Sequence, residues 1–501
     1  MNLTVKTAPK PYLLTKSRVM SGLQCHKKLW FDVHQPIKQD LHIFYIGNRF
    51  GEFARTYYGA GIDLTGNLDA TLAVEQTQNA LSDPLTPVIY EAAFLHNDTL
   101  VRVDVLIRRP NGWEMIEVKS STKLKDEHIK DAALQTYIVQ ACGINVLKTK
   151  IAHINNSFVY SGNGNYYNFL IEVDITEAVK ALEPLTSRWI INLKSIALPT
   201  AITPDISMGE QCTKPHDCPY QARCSLQIPQ LAEVPITILP YANKKLIEEF
   251  AEKNVHDLRD VPASRLTKPQ HLVIHQAHTS NSHWISPAIV EQLNAMAWPR
   301  YFMDFETVQQ GVPIMPDTKS YDALPFQWSV HRWDNPTQVL NVSDGLSYLE
   351  FFDVRMDRTF LETLLAAVGT EGPIFVHNAP FERSKLRALT KRSSCADLSY
   401  AVEALIGRIV DTLDVARDGF YAPQMMGSYS LKDIVKGIPT TVDYSSAEGL
   451  TGGGEAQIAW FKCTDQNTSP VEKEQWAKKL KHYCAQDTLA MYDFIRFLIS
   501  H

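Results

Sequence analysis

The sequence predicts an α/β protein in which a helical connector joins two α/β units. Two observations carry this prediction. Apolar runs with strand character alternate with stretches of helical periodicity in both halves of the chain, and a polar stretch interrupted by proline separates the halves. We therefore expect a first unit over 1–225, a connector of short helices over 226–298 and a second unit over 299–501.

In the first unit, a helix is expected at 41–60 and strands at 87–95, 100–108 and 112–119. The following stretch, 127–142, has apolar residues at helical spacing and is expected to form a helix. The sequence Arg-Pro-Asn-Gly between the last two strands favours a hairpin, which would make these strands antiparallel neighbours.

The second unit repeats the alternation of strands and helices. Strands are expected at 299–305, 326–333 and 373–377, and helices at 355–368, 381–391, 400–409 and 470–499. Ser469, Pro470 and Glu472 give the last helix an N-cap, a first-turn proline and a capping box. The glycine-rich stretch 449–456 is expected to be a flexible loop. It lacks the Lys-Ser/Thr of a phosphate-binding loop.

Composition restricts the function classes. With 45% hydrophobic and 21% charged residues, the chain is typical of a globular protein. It contains no run of about eighteen apolar residues, and its N-terminus lacks the apolar core of a secretory signal, so we expect a cytoplasmic protein with no membrane partner. A net charge of −6 does not favour nucleic-acid binding over the whole surface, which leaves local basic patches as the candidates.

Two neighbouring strands carry the first candidate site. Glu117 and Lys119 lie two positions apart and therefore on one face of a strand. An isolated Glu-x-Lys is typically a surface ion pair, but Asp104 lies inside an apolar strand, where a carboxylate is costly unless it is paired or binds a metal. If the hairpin brings these groups together, two carboxylates and an ammonium favour a Mg²⁺ site that activates water.

This pattern resembles the RecB-type PD-(D/E)XK nucleases, in which an acid-x-lysine strand and a helix with Gln and Tyr frame the active site. The resemblance implies a PD-(D/E)XK restriction-endonuclease-like fold for the first unit. It also implies metal ligands and catalytic residues at Asp104, Glu117, Lys119, Gln135 and Tyr137. Glu91, on the preceding strand, is either an additional ligand or a solvent-exposed acid.

The cysteines extend the resemblance. Cys25 precedes the predicted core, and Cys212, Cys218 and Cys224 follow it. This layout resembles the iron–sulfur nucleases of the same type and implies a [4Fe–4S] cluster that ties the two ends of the unit together. A structural Zn²⁺ on the same four thiolates is the alternative, and free thiols are the third reading. The other cysteines are expected to be core residues: Cys142, Cys395, Cys463 and Cys484.

The strand "YFMDFET" carries the second candidate site. Asp304 and Glu306 are two positions apart on an apolar strand, and two such carboxylates repel unless a cation bridges them. The alternative is an edge strand with solvated acids. Further motifs follow in order at 375–386, 411–421, 429–436 and 482–494.

This series resembles the DnaQ-like 3′–5′ exonucleases, which have an RNase H-like fold. The resemblance implies that Asp304, Glu306, Glu382 and Asp487 hold two Mg²⁺ or Mn²⁺ ions, and that Asp411 supports the site. It also implies a water-orienting residue shortly before Asp487. The helical angle to Asp487 favours Tyr483, at about 40°, over His482, at about 140°.

The two halves together resemble a family of two-nuclease proteins whose function is mostly undescribed. They imply a metal-dependent nuclease with two active sites, acting on DNA ends or single-stranded DNA, with DNA favoured over RNA. One alternative is a DNA or RNA exonuclease with activity only in the second unit and a nucleic-acid clamp in the first. Another is a non-catalytic nucleic-acid-binding adaptor. A helicase or defence-system partner remains open.

Overall fold

The chain forms a mixed α/β structure that divides into two compact units. Unit 1 comprises Met1–Pro229 and Gln310–Asp322, and unit 2 comprises Gln230–Gln309 and Ala323–His501. The computed structural model describes residues 13–37, 41–66, 69–226, 232–351, 356–444, 450 and 452–501.

Unit 1 contains seven strands and seven α-helices within the described residues. The strands are β1 (Leu14–Thr15), β2 (Ile62–Asp63), β3 (Val88–His96), β4 (Thr99–Arg109), β5 (Gly112–Lys119), β6 (Val146–Ile154) and β7 (Leu170–Asp174). The helices are α1 (Lys16–Gln24), α2 (His26–His34), α3 (Leu41–Tyr58), α4 (Ala70–Ser82), α5 (Asp126–Ala141), α6 (Thr176–Ala197) and α7 (Gln221–Ser225).

The strands of unit 1 form one sheet in the order β2-β3-β4-β5-β6-β7, with β1 paired to β4. β3, β4 and β5 are antiparallel neighbours, as the predicted hairpin requires. β5 and β6 run parallel, so α5 serves as the crossover between them. The predicted strand 112–119 is β5, with unchanged bounds, and the helix predicted over 127–142 is α5, shifted by one residue.

Unit 2 contains seven strands and ten α-helices within the described residues. The strands are β8 (Trp284–Ile285), β9 (Arg300–Val308), β10 (Leu324–Trp333), β11 (Leu346–Leu349), β12 (Ile374–Val376), β13 (Ile409–Asp411) and β14 (Phe420–Tyr421). The helices are α8 (Lys244–Glu252), α9 (Pro269–Ser280), α10 (Pro287–Asn294), α11 (Met356–Val368), α12 (Ala379–Thr390), α13 (Ser399–Ile406), α14 (Thr412–Gly419), α15 (Leu431–Ile434), α16 (Gly453–Thr464) and α17 (Pro470–Ile499).

The main sheet of unit 2 has the order β11-β10-β9-β12-β13. β10 is antiparallel to β9 and β11, whereas β9, β12 and β13 are parallel to one another. β9 is therefore an interior strand with a partner on each side. This excludes the alternative of an edge strand whose acids are simply solvated.

The core of unit 2 joins the helices before β9 to the sheet and to α17. Leu258 and Leu293 from the first part of the unit share one apolar cluster with Phe302 of β9, Trp333 of β10 and Tyr492 of α17. Residues expected to form a connector thus bury their apolar side chains in the core of this unit.

Two expectations in unit 2 are wrong. The helix predicted to run to residue 409 ends at Ile406, and Ile409–Asp411 is strand β13, because the apolar Ile-Val pairs with β12. The glycine-rich stretch expected to be a loop to residue 456 begins α16 at Gly453. Packing of buried Ala456 and Trp460 outweighs the low helix propensity of glycine there.

The start of α17 has the predicted N-cap at Ser469 and the predicted proline in its first turn. Ser469 accepts a hydrogen bond from the backbone N–H of Glu472, as an N-cap does. The Glu472 carboxylate accepts from Trp476 Nε1 at 3.4 Å.

None of the described helices is both long and apolar enough to cross a membrane.

Candidate active sites

The first carboxylate cluster of the molecule lies in unit 1, and we call it cluster A: Glu91, Asp104, Glu117 and Asp131. The neighbouring residue pairs set a register that places Glu91 of β3 opposite Asp104 of β4, and Asp104 opposite Glu117 of β5. Three acids thus stand side by side on three neighbouring strands. Glu91 has a positive φ of 57°, which is uncommon for a residue other than glycine and typical of functional sites.

Two lysines bind cluster A. Lys119 Nζ lies 2.7 Å from Glu117 Oε1 and 2.5 Å from Asp131 Oδ2. Lys16 Nζ, from the start of α1, also lies 2.7 Å from Glu117 Oε1. The same nitrogen is 3.9 Å from Asp131 Oδ2 and 4.0 Å from Asp104 Oδ1. One carboxylate oxygen therefore accepts from two ammonium groups.

Burial and charge act in opposite directions on these groups. Burial raises the pKa of Asp104, and the Lys16 charge offsets part of that effect. Burial also raises the pKa of Glu91, which again has Lys16 as its largest opposing influence. Burial alone would lower the pKa of Lys119, but Asp131 and Glu117 raise it above the ordinary value. Both lysines stay charged, and their charge stabilises the carboxylates.

Helix α5 contributes Gln135 to cluster A. Gln135 Nε2 donates to Glu117 Oε2 at 2.6 Å and to Asp131 Oδ1 at 3.1 Å. Tyr137, predicted to act with it, does not join the cluster: it packs against the apolar core and lines a cavity with Lys180 of α6. Two helical positions turn a side chain by about 200°, so Gln135 and Tyr137 lie on different faces.

Asp131 was not predicted from the sequence. It lies four residues before Gln135 and hence on the same helix face. That spacing was the available signal. Lys16 had no comparable signal, since it lies 101 residues from Glu117 in the chain.

The four cysteines expected to bind a cluster line a single cavity in unit 1. Cys25 lies between α1 and α2, and the Cys218 N–H donates to the Cys212 carbonyl at 2.7 Å. Cys224 belongs to α7. Lys27 and other residues complete the cavity wall. Of the remaining cysteines, Cys142 is only partly buried, and three are buried as expected: Cys395, Cys463 and Cys484.

The second carboxylate cluster lies in unit 2, and we call it cluster B: Asp304, Glu306 and Asp487. One oxygen atom from each side chain lies within 4.8 Å of the others, which suits a shared metal ion. β9 holds the first two acids on one face, and α17 supplies the third. The buried thiol of Cys484 lies 3.7 Å from Asp304 Oδ2 and adds a weak donor.

Cluster B carries more negative charge than its neighbours offset. Burial raises the pKa of Asp304 far above its usual value, and Asp487 and Glu306 add to the effect. Burial and Asp487 raise the pKa of Glu306 to about 8, and burial raises that of Asp487 to about 6. Lys432 opposes the rise at both Glu306 and Asp487. Protons or a divalent cation would relieve the remaining repulsion.

Glu382, the fourth predicted ligand, lies close to cluster B but outside the group of three. It is buried in the first turn of α12, and its charge contributes to the raised pKa of Asp304. Burial raises the pKa of Glu382 itself to about 8. Its Oε2 atom is buried without a hydrogen-bond partner, which leaves an oxygen available for a ligand.

Two tyrosines bind the Asp487 carboxylate. Tyr444 OH donates to Asp487 Oδ1 at 2.7 Å, and a hydrogen bond from Tyr483 also lowers the pKa of Asp487. Lys432 Nζ lies 5.3 Å from the ring centres of both tyrosines. His482 is exposed, and its Nε2 pairs with Gln486. Of the two predicted water-orienting residues, the structure therefore brings Tyr483 to the cluster. Sequence reasoning missed Tyr444 and Lys432.

Asp411 acts on the backbone. Its carboxylate accepts from the N–H groups of Asn378, Ala379 and Leu413, at 2.9 Å each. These bonds cap the first turns of α12 and α14. Because α12 carries Glu382, Asp411 fixes the position of a cluster B neighbour, in line with the supporting role expected for it.

Comparison with known proteins gives one match. A family model described as a domain of unknown function, DUF2779, matches residues 301–430, about a quarter of the chain. The matched region begins on β9, includes Asp304, Glu306 and Glu382, and ends before Asp487. No curated protein matches the chain.

Proposed function

We propose that the protein is a metal-dependent nuclease that hydrolyses phosphodiester bonds, with its principal active site at cluster B and a second at cluster A. The observation that carries the proposal is the meeting of Asp304, Glu306 and Asp487 within 4.8 Å at the face of a buried strand. All donor atoms there are carboxylate oxygens, the ligands that Mg²⁺ and Mn²⁺ prefer.

Topology supports the domain types in this proposal. In unit 2, the strand order with only β10 antiparallel supports an RNase H-like fold of the DnaQ exonuclease type. In unit 1, the succession of α4, three antiparallel strands, α5 and the parallel strand β6 supports a PD-(D/E)XK fold.

Cluster B supports the following chemistry. Bound divalent ions would lower the pKa of a water molecule and neutralise charge on the leaving 3′ oxygen. Tyr483 orients that water by hydrogen bonding, and it does not take its proton, because burial and Asp487 raise the phenol's pKa above its usual value. Tyr444 and Tyr483 together hold the Asp487 carboxylate, so its direction is fixed before substrate arrives.

Cluster A supports a second hydrolytic site. Asp104 and Glu117 are the candidate metal ligands, with Glu91 beside them, and Lys119 is the candidate for positioning the attacking water or the phosphate. A groove beside Lys119 favours a polyanionic substrate. Its lining includes Lys28 and Lys125, four serines (Ser17, Ser21, Ser120 and Ser121) and the acids Glu127 and Asp131.

For the cysteine cavity we propose a [4Fe–4S] cluster, with Zn²⁺ as the alternative. The four cysteines line one cavity of unit 1, and the iron–sulfur cluster is favoured over Zn²⁺ because their layout along the chain resembles that of the iron–sulfur nucleases. Broad visible absorption of anaerobically purified protein, together with iron and zinc analysis, tests this assignment.

The nuclease proposal is tested with end-labelled single-stranded and duplex DNA and RNA in Mg²⁺ or Mn²⁺. We expect Asp304→Asn to reduce cleavage about a hundredfold or more, and Glu117→Gln to abolish the remainder. Asp414→Asn, at an exposed acid of the same unit, is the matched control. Products released from the 3′ end would identify cluster B as the exonuclease.

Each alternative predicts a different outcome. If Asp304→Asn alone abolishes all cleavage and Glu117→Gln weakens only binding, unit 1 is a nucleic-acid clamp. If the wild-type protein cleaves neither DNA nor RNA with either metal, the catalytic proposal is wrong, and a binding adaptor remains. DNA is proposed as the substrate from the resemblance alone. Comparing cleavage of the DNA and RNA substrates decides between the two.

A further inference from the structure

Lys16 is a cation of cluster A that the proposed chemistry does not use. It is the first residue of α1, and its side chain is 27% exposed. Its ammonium group reaches three acids, with Glu117 Oε1 nearest at 2.7 Å. Asp104 Oδ1 and Asp131 Oδ2 lie at 4.0 and 3.9 Å.

Several acceptor atoms around Lys16 already accept hydrogen bonds. Glu117 Oε1 accepts from Lys16 and Lys119, which fills both of its lone pairs, and Glu117 Oε2 accepts from Gln135. Asp104 Oδ2 accepts from the Val118 N–H at 2.7 Å. A metal ion held by Asp104 and Glu117 would therefore share the Glu117 carboxylate with Lys16, because Oε1 already accepts from two ammonium groups while Oε2 keeps one lone pair.

Charge leads to the same conclusion. A divalent ion between Asp104 and Glu117 would lie within a few ångströms of the Lys16 ammonium, and the two cations would repel. Lys119 contacts Asp131 as well as Glu117, so it can keep one carboxylate if it loses the other. Lys16, by contrast, lies within hydrogen-bond distance of Glu117 but 3.9–4.0 Å from Asp131 and Asp104.

We propose that Lys16 is a tethered cation that competes with the divalent metal ion for Glu117 and Asp104. Metal then enters cluster A only as Lys16 withdraws, so the free protein binds metal more weakly there than at cluster B. This inference rests on the proposed metal site at cluster A and adds a regulatory residue to it.

The test measures Mn²⁺ binding to anaerobically purified full-length protein by isothermal titration calorimetry and electron paramagnetic resonance. Asp304→Asn with Asp487→Asn silences cluster B in every sample. In that background we expect Lys16→Met to bind Mn²⁺ at cluster A about tenfold more tightly than the parent. Lys194→Met removes a lysine of unit 1 that pairs with Asp98 outside cluster A, and it should bind like the parent.

The outcomes separate this inference from the nuclease proposal. Equal or weaker Mn²⁺ binding by Lys16→Met overturns the competition and leaves the metal site standing. If neither the parent nor Lys16→Met binds Mn²⁺, both the competition by Lys16 and the metal site at cluster A are overturned. Circular dichroism checks folding, and Lys16→Gln repeats the test with a polar side chain. A second readout is thermal unfolding: Mn²⁺ should raise the Tm of Lys16→Met more than that of the parent.

Discussion

The two carboxylate clusters differ in how their negative charge is balanced. At cluster A, Lys16 and Lys119 bind the acids directly, at 2.7 Å from a shared Glu117 oxygen. At cluster B, Lys432 offsets only part of the charge, and the pKa values of Glu306 and Asp487 remain raised to about 8 and about 6. At cluster A the two ammonium groups offset part of the charge directly, although the pKa of Asp104 and of Glu91 is still raised, whereas cluster B depends more on protons or metal.

This difference teaches that similar residue types can have opposite energetic roles. A carboxylate that holds buried ammonium groups stabilises the fold, and removing it leaves those charges unpaired. A carboxylate that mainly repels other carboxylates stores unfavourable energy until a cation arrives. Loss of Glu117 and loss of Asp304 should therefore change the stability of the fold in opposite directions.

The largest expected difference is in stability. In the presence of a chelator, Glu117→Gln should lower the free energy of unfolding by about 3 kcal/mol, because it leaves Lys16 and Lys119 without their shared partner. Asp304→Asn should leave it unchanged or raise it by up to about 1 kcal/mol, because a repelling carboxylate is lost. Urea denaturation measures both. A substantial loss in Asp304→Asn would contradict the comparison.

The next prediction concerns pH. A carboxyl group whose pKa is higher in the folded chain binds its proton more tightly there, so protonation stabilises the fold. For cluster B this stabilisation is complete below about pH 4 and is lost as pH rises through about 6 for Asp487 and about 8 for Glu306.

The metal-free protein should accordingly become less stable as pH rises across this window, while its Mg²⁺ affinity increases, because metal must displace those protons. Denaturation in chelator and calorimetry with Mg²⁺, each as a function of pH, check the two slopes. Asp304→Asn should reduce the pH dependence of both the stability and the Mg²⁺ affinity. A stability that increases over the same window in the wild type would show that cluster B is not the dominant titrating site.

A smaller effect is expected from Tyr444. Its hydrogen bond lowers the pKa of Asp487, so Tyr444→Phe should raise that pKa. Removing this hydrogen bond should cost about 1 kcal/mol of metal-binding free energy, which corresponds to roughly fivefold weaker metal binding near pH 6. The effect should be smaller at higher pH, where Asp487 is already ionised. Tyr400→Phe, at an exposed tyrosine of the same unit, is the control. An equal loss at all pH values would point to a packing role for Tyr444.

The smallest effect is expected from His482. It is exposed and pairs with Gln486, so His482→Ala should change cleavage less than about twofold. Tyr483→Phe should reduce kcat about a hundredfold with little change in KM, because it loses the group that orients water. If the two variants behave in the reverse way, His482 is the water-orienting residue.

Local regularity explains the success of sequence reasoning for particular elements. The alternation in 112–119 and the Ser469–Pro470 start of the last helix reflect backbone preferences that neighbouring residues set, and β5 and α17 have these bounds. The position of Asp104 opposite Glu117 was also accessible, because a short hairpin fixes the register between the two strands. Helix 400–409 was overextended because apolar Ile409 and Val410 suit a helix or a strand until a partner strand is known.

By itself, the sequence determined which acids stand two apart on a strand and which cysteines are available, since these follow from chain order and a fixed period of two. Only the tertiary structure decided what surrounds those acids. Lys16 and Glu117 are 101 residues apart, and Tyr444 reaches Asp487 from another element, 43 residues away. Contacts over such separations arise from how helices pack on sheets, and they decide whether a carboxylate is neutralised by the chain or left to bind a metal.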